Sequence, residues 1–88
     1  MNFRVAISHE AEKVLGRLDR PMEHRVRARF TQLAADPFDP RLSAPLADRA
    51  EIRKSRVGGW RILFTVEREA KVIYILTVDT RGQVYKHS

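Results

Sequence analysis

The feature that most constrains how this chain can fold is a pair of adjacent glycines, Gly58 and Gly59. From residue 51 onward, apolar and polar residues tend to alternate, which is the period of a β-strand. Glycine readily adopts the positive φ that two-residue hairpin turns need, and we expect positive φ at both glycines. The sequence therefore predicts an antiparallel hairpin whose register can be counted outward from this turn.

The counted register places three cationic side chains on one face of the hairpin. Arg56 falls opposite Arg61, and Lys54 shares their face because side chains alternate along a strand. The other face carries an apolar set that suits a protein core: Val57, Trp60, Ile62, Phe64 and Val66. Like charges that face each other destabilise a sheet, so the cluster indicates a function that requires it. The alternative is a solvated face with extended arginines.

The N-terminal half has the patterns of a short strand and two helices. Ser8 suits a helix N-cap, and apolar residues follow it at helical spacing. Pro21 suits the start of a second helix, and the prolines between residues 36 and 48 predict a loop. Strands are predicted over residues 3–7, 52–57, 60–66 and 72–78, with a possible extension at 84–85. This β-αα-βββ order predicts an α+β fold, an antiparallel sheet with a helical hairpin packed on one face.

Size and charge limit the classes of function. A chain of 88 residues suits a single domain spanning 1–88. There are 17 Lys and Arg against 11 Asp and Glu, which gives a net charge of +6. Such an excess favours a polyanionic partner, nucleic acid before all others. An acidic protein partner and simple solubility are the alternatives.

The absence of cysteine excludes disulfides, thiolate metal sites and a cysteine nucleophile. The N-terminus lacks the apolar stretch of a secretory leader, and no apolar run approaches the ~20 residues of a membrane helix. We therefore expect a cytoplasmic protein without a membrane partner. No metal or cofactor is expected either. His9, His24 and His87 lie at a helix start, on a helix flank and near the C-terminus, where we expect exposed rather than catalytic side chains.

Arg81 and Tyr85 follow the last predicted strand. An arginine and a tyrosine beside a cationic face suit phosphate clamping and base stacking. Ordinary packing at a sheet edge is the alternative for Tyr85.

Three segments resemble the RelE/ParE superfamily of toxins. They are RVGGWRILF at residues 56–64, VIYIL at residues 72–76 and RGQVY at residues 81–85. The β-αα-βββ order also agrees with this superfamily, so the resemblance covers the whole chain. The resemblance implies the toxin of a type II toxin–antitoxin pair, neutralised by a cognate antitoxin whose flexible tail wraps it in a hetero-oligomeric complex.

For RelE-type members, the resemblance implies metal-independent cleavage of mRNA in the ribosomal decoding site. The 2′-OH attacks the adjacent phosphate and leaves a cyclic phosphate and a 5′-OH. By motif, Lys54 would contact the reacting phosphate, and Arg56 and Arg61 would hold the backbone and stabilise the developing charge. Arg81 would protonate the leaving 5′ oxygen, and Tyr85 would position or activate the 2′-OH.

The sequence departs from the RelE pattern at several positions. Ile52 stands where RelE members carry a second lysine. The adjacent Arg53 is a further candidate for phosphate binding, although its parity directs it to the core side. Asp79 and Thr80 replace a common Gly-His or Gly-Lys pair, and Phe64 replaces a tyrosine.

Two other functions remain open at this point. One is the ParE branch, which has the same fold and inhibits DNA gyrase without catalysis. The Arg81 and Tyr85 ending favours the ribonuclease over that branch. The other is a nucleic-acid-binding module or a degenerate toxin.

Overall fold

The computed structural model describes residues 2–80. The elements are β1 (Arg4–Ile7), α1 (His9–Leu15), α2 (Arg20–Ala35), β2 (Ala44–Pro45), β3 (Arg53–Val57), β4 (Trp60–Glu67) and β5 (Val72–Thr80). This order confirms the predicted α+β fold and adds β2 within the stretch predicted as loop. The strand extension predicted at residues 84–85 lies outside the described residues.

The five strands form one mixed sheet in the order β1-β5-β4-β3-β2. Strands β2 to β5 are antiparallel to their neighbours, but β1 pairs with β5 in parallel. The expectation of a purely antiparallel sheet was therefore wrong at this edge. Parallel pairing requires a long crossover connection, and the helical hairpin with the later strands separates β1 from β5 in the chain.

Both helices begin after a residue whose side chain caps them, Ser8 as predicted and Asp19, which was not predicted as a cap. The Ser8 hydroxyl accepts a hydrogen bond from the Ala11 N–H at 3.0 Å, and Asp19 caps α2 through the Met22 N–H at 3.1 Å. Pro21 lies in the first turn of α2, where the missing N–H costs little. Among the residues that the structure describes, no helix is long and apolar enough to cross a membrane.

The core lies between the helices and one face of the sheet. Phe30 and Leu33 of α2 and Leu15 of α1 are buried with the strand residues Ile62 and Phe64. Arg27 donates hydrogen bonds to Glu23 of its own helix and to Glu12 of α1, which ties the two helices together at the surface. The helical hairpin therefore covers one face of the sheet, and no helix of residues 2–80 covers the other face.

The Gly58-Gly59 turn has the predicted length, but only one glycine has the predicted conformation. Gly58 has a φ of 59°, whereas Gly59 is outside the positive-φ region. Positive φ at the first central position alone is the pattern of a type II′ turn, which also matches the twist of a hairpin. The expectation of positive φ at both glycines was wrong, while the predicted register is unaffected.

A register shift divides the β4–β5 ladder. Phe64 pairs with Ile75 and Leu63 pairs with Thr77, so Leu76 is the extra residue on β5. The Ser8 hydroxyl donates to the Leu76 carbonyl at 2.8 Å, which satisfies a group that the bulge frees from the ladder. Because of this extra residue, the β5 side chains after Leu76 point to the opposite faces of the sheet from those that simple alternation would predict.

Candidate nucleic-acid interface

The β3–β4 hairpin has the register counted from its turn. Arg56 pairs with Arg61, Lys54 pairs with Leu63, and Val57 pairs with Trp60. Lys54, Arg56 and Arg61 therefore share one face of the sheet, which we call the cationic face. The opposite face packs against the helices, so a slip of one residue would place these charges in the core.

Burial on the helix side explains why this arrangement is fixed. Val57, Ile62 and Phe64 have exposed fractions of 4% or less, and Ser55 is also buried. The Ser55 hydroxyl accepts a hydrogen bond from Arg29 of α2 at 2.8 Å, which satisfies this buried polar side chain. Arg56 remains exposed, and Lys54 and Arg61 are partly buried.

Arg61 differs from the other two cations because it has an acidic partner. Its Nε lies 3.3 Å from Oδ1 of Asp79, the residue directly across the β4–β5 ladder. About a quarter of each side chain is exposed (23% and 25%), so water only partly screens the pair. Lys54 and Arg56 form no ion pair with an acid among residues 2–80. The cationic face therefore holds one paired and two unpaired cations.

Arg53 lies apart from the cationic face. Its Nε donates to the Ser43 hydroxyl at 3.0 Å, and its guanidinium carbon lies 5.1 Å from the centre of the Phe38 ring. Arg68 contacts the same ring at 4.2 Å. The alternation of side chains along β3 predicted that Arg53 points to the side of the helices. Phosphate binding by Arg53 stays a prediction.

The predicted Arg81 and Tyr85 lie outside the described residues, as does His87. The described chain stops at Thr80, which pairs with Trp60 beside Arg61. His9 and His24 are exposed on α1 and α2. Within residues 2–80, no three His, Asp or Glu side chains are grouped as a metal site would require.

Two contacts near the cationic face were missed from the sequence. Asp79 was noted as a departure from a motif, but its pairing with Arg61 was not predicted. The sequence also showed no sign that Arg29 of α2 reaches this hairpin, where its guanidinium donates to the Arg56 carbonyl at 2.8 Å. The alternation of apolar residues along β5 is interrupted, and this interruption could have suggested the contact between Arg61 and Asp79. No local pattern indicates the contact between Arg29 and Arg56.

Solved structures of toxins have the same fold. The chain is 26% identical to a chain in the RelBE2 toxin–antitoxin complex from Mycobacterium tuberculosis, with a TM-score of 0.80 over 92% of this chain and 100% of that one. It is 26% identical to a chain of the RelE–RelB complex from Pyrococcus horikoshii, with a TM-score of 0.77 over 94% and 99%. An Escherichia coli RelE mutant in complex with an antitoxin peptide shares 16% identity and a TM-score of 0.81, over 99% and 94%.

A comparison with curated protein sequences gave no match. A family model described as the ParE toxin of the type II toxin–antitoxin system parDE matches residues 5–85. The match spans both helices and every strand after β1, and the structural likeness extends over nearly the whole chain. The chain therefore belongs to the ParE toxin family of type II toxin–antitoxin systems, within the RelE/ParE superfamily.

Proposed function

We propose that this toxin is an endoribonuclease that cleaves mRNA through its cationic face. The observation that carries the proposal is the grouping of Lys54, Arg56 and Arg61 on the sheet face away from the helices. Two of these cations have no acidic partner in the described part of the chain, so they can bind phosphate without first breaking an ion pair. Such a site would not be kept for stability, since like charges face each other across the hairpin.

The chemistry that suits this face is transfer of a phosphoryl group within the RNA strand. The 2′-oxygen forms a bond to the adjacent phosphorus, the bond to the 5′ oxygen breaks, and the products are a cyclic phosphate and a 5′-OH. One proton leaves the 2′-OH and one is delivered to the departing oxygen. Guanidinium groups stabilise the negative charge that develops on the phosphate oxygens, and their planar donors fit two of those oxygens at once.

Residue roles follow from position on the cationic face and from the motif. Lys54 contacts the reacting phosphate, and Arg56 and Arg61 hold its oxygens. By resemblance, Arg81 supplies the proton for the 5′ oxygen and Tyr85 positions the 2′-OH. The partners are then a translating ribosome with its message and a cognate antitoxin, the last supported by the RelB-bound complexes of similar toxins.

Inhibition of DNA gyrase without catalysis is the second candidate. The description of the matching family favours it, since it names the ParE toxin. The ion pair between Arg61 and Asp79 also favours it, because a catalytic arginine of a ribonuclease would be expected to lack a fixed counter-charge.

Growth arrest in cells that express the toxin tests the proposal. Arg61→Ala and Arg81→Ala should relieve the arrest, because loss of one stabilising donor commonly lowers a rate by ~10²–10³. Arg17→Ala is the matched control: Arg17 is exposed after α1, on the helix side, and its loss should leave the arrest intact. Full arrest by both Arg61→Ala and Arg81→Ala, with antitoxin binding retained, would exclude the ribonuclease.

A further inference from the structure

A groove lies at the edge of the sheet where β2 stops covering β3. Strand β2 pairs only with Arg53 and Lys54, so no strand of residues 2–80 lies beside Ser55 to Val57 on that side. Arg29 of α2 reaches this edge, and its Nη1 donates to the Arg56 carbonyl and to the Ser55 hydroxyl, each at 2.8 Å. The space left between Arg29 and the loop at residues 40–44 has a volume of about 270 Å³, and we call it the edge groove.

The edge groove is lined by cations. Arg29, Arg41, Lys54 and Arg56 contribute to its wall, together with residues 40 and 42–44, and none of these lining residues is acidic. The Arg29 guanidinium is held in place, because its Nε also donates to Gln32 at 2.9 Å. A fixed guanidinium loses little freedom when it binds a phosphate, so the groove is prepared for an anion.

One carboxylate lies behind this wall. Asp39 accepts hydrogen bonds from both Nε and Nη2 of Arg41, at 3.2 and 2.9 Å. These bonds, with one from the Arg41 backbone N–H, hold the pKa of Asp39 below its ordinary value, so the carboxylate remains charged. Arg41 itself is almost fully exposed, with 87% of its side chain accessible. Asp39 therefore offsets one of the four groove charges and leaves the other three.

We propose that the edge groove binds a phosphodiester of the RNA strand next to the phosphate that is cleaved, an inference that rests on the proposed function. Lys54 and Arg56 belong both to the cationic face and to the edge groove, so the two surfaces are continuous. RNA is the occupant that this continuity favours, since it carries one charge at every nucleotide and one strand can cross both surfaces. A protein segment would need apolar anchors, and the groove offers only small or partly buried apolar side chains, such as Leu42 and Ala44.

Two substitutions outside the proposed catalytic set change the groove charge in opposite directions. Arg41→Gln removes a cation from the wall. Asp39→Asn removes the counter-charge of Arg41 while keeping an oxygen for the Arg41 N–H, which Asp39 Oδ1 accepts at 2.9 Å. Arg17→Gln is the control, with the same change in net charge as Arg41→Gln but on the helix side. Thermal unfolding should confirm that all three variants fold as the native toxin does.

The measurement is the affinity for a single-stranded RNA with 2′-O-methyl groups, which cannot be cleaved, at a series of salt concentrations. Arg41→Gln should weaken binding several-fold and lower the slope of log K against log salt by up to about 0.7, the value per phosphate contact on a single strand. Asp39→Asn should strengthen binding, and Arg17→Gln should match the native toxin. Equal behaviour of Arg41→Gln and Arg17→Gln would overturn the proposal. So would an effect confined to binding of the antitoxin, which would assign the groove to an acidic protein segment.

Cleavage of message by the same proteins separates this inference from the proposed function. If the native toxin cuts mRNA but the groove variants bind RNA unchanged, the groove assignment fails and the ribonuclease stands. If RNA binding changes as expected but no message is cut, the groove binds RNA and the proposed cleavage fails.

Discussion

The cations of the candidate site differ in how they are held. Arg56 is exposed and Lys54 is partly buried, and neither forms an ion pair within the described residues, so each can move to meet a phosphate. Within residues 2–80, Arg61 contacts Asp79 through Nε at 3.3 Å, and no bond of its two terminal nitrogens is found there. Asp79 can therefore orient Arg61 and at the same time reduce the positive potential around it.

Substitutions of Asp79 separate these two effects. Asp79→Asn removes the charge but keeps an oxygen that can accept from Arg61, so we expect affinity for uncleavable RNA to rise about two- to fivefold, the size of a partly exposed ion pair. Asp79→Ala also removes the acceptor. If Asp79 orients Arg61, cleavage by Asp79→Ala should fall below that by Asp79→Asn, although both should bind RNA more tightly than the native toxin. Unchanged RNA affinity in Asp79→Asn would mean that Asp79 does not affect the cationic face.

Among the secondary-structure elements, the β3–β4 hairpin determines the site because its turn sets the register. Gly58 has a φ of 59°, and a Cβ built on it would lie 3.2 Å from the Met22 side chain and 3.7 Å from Arg25. A Cβ built on Gly59 would meet no atom of residues 2–80 within 4 Å. Although the two glycines are adjacent in sequence, a side chain at Gly58 should destabilise the fold more than one at Gly59.

Gly58→Ala should lower the free energy of unfolding by about 1–2 kcal/mol, because a left-handed backbone is unfavourable for a residue with a Cβ. Gly59→Ala should change it by less than about 0.5 kcal/mol, as surface substitutions usually do. Urea denaturation of both variants measures the difference. Equal destabilisation by the two substitutions would contradict the type II′ turn found here.

The sequence predicted the register of this hairpin because a turn of two residues determines which residues of β3 and β4 pair. It did not predict the β4–β5 register, because the extra residue Leu76 interrupts the regular pairing. Without it, Arg61 would face Val78 and Asp79 would face Trp60 on the core side. The β5 residues in the core cluster carry the signal: Ile73 and Ile75 are odd-numbered, whereas Val78 is even-numbered, and the bulge between them places all three on the core side.

Two other features depended on tertiary structure that no local pattern encodes. Strand β2 has two residues, one of them Pro45, so it has no periodicity to detect. The parallel orientation of β1 depends on which strand it pairs with. The alternation of apolar and polar residues does not reveal whether a strand runs parallel or antiparallel to its neighbour. The edge groove depends on β2 and on Arg29 of α2, so it could not be located before the fold was known.

For the whole molecule, the helical hairpin covers one face of the sheet and leaves the basic face to a partner. The net charge of +6 supports binding to a polyanion, but it does not distinguish RNA from an acidic antitoxin. The fold does not distinguish the two candidate functions either, since the resemblance implies the same fold for ribonuclease toxins and for gyrase-inhibiting toxins. Only the chemistry at the cationic face separates these functions.

The most direct measurement is therefore the product formed by the purified toxin. Added to a translating extract, it should cut mRNA and leave a 2′,3′-cyclic phosphate and a 5′-OH at each site. Arg61→Ala should reduce this cleavage by ~10²–10³, and Arg17→Ala should not. In parallel, the toxin should leave supercoiling by DNA gyrase unchanged. Intact message together with inhibited supercoiling would contradict the account and assign the toxin to the gyrase-inhibiting branch.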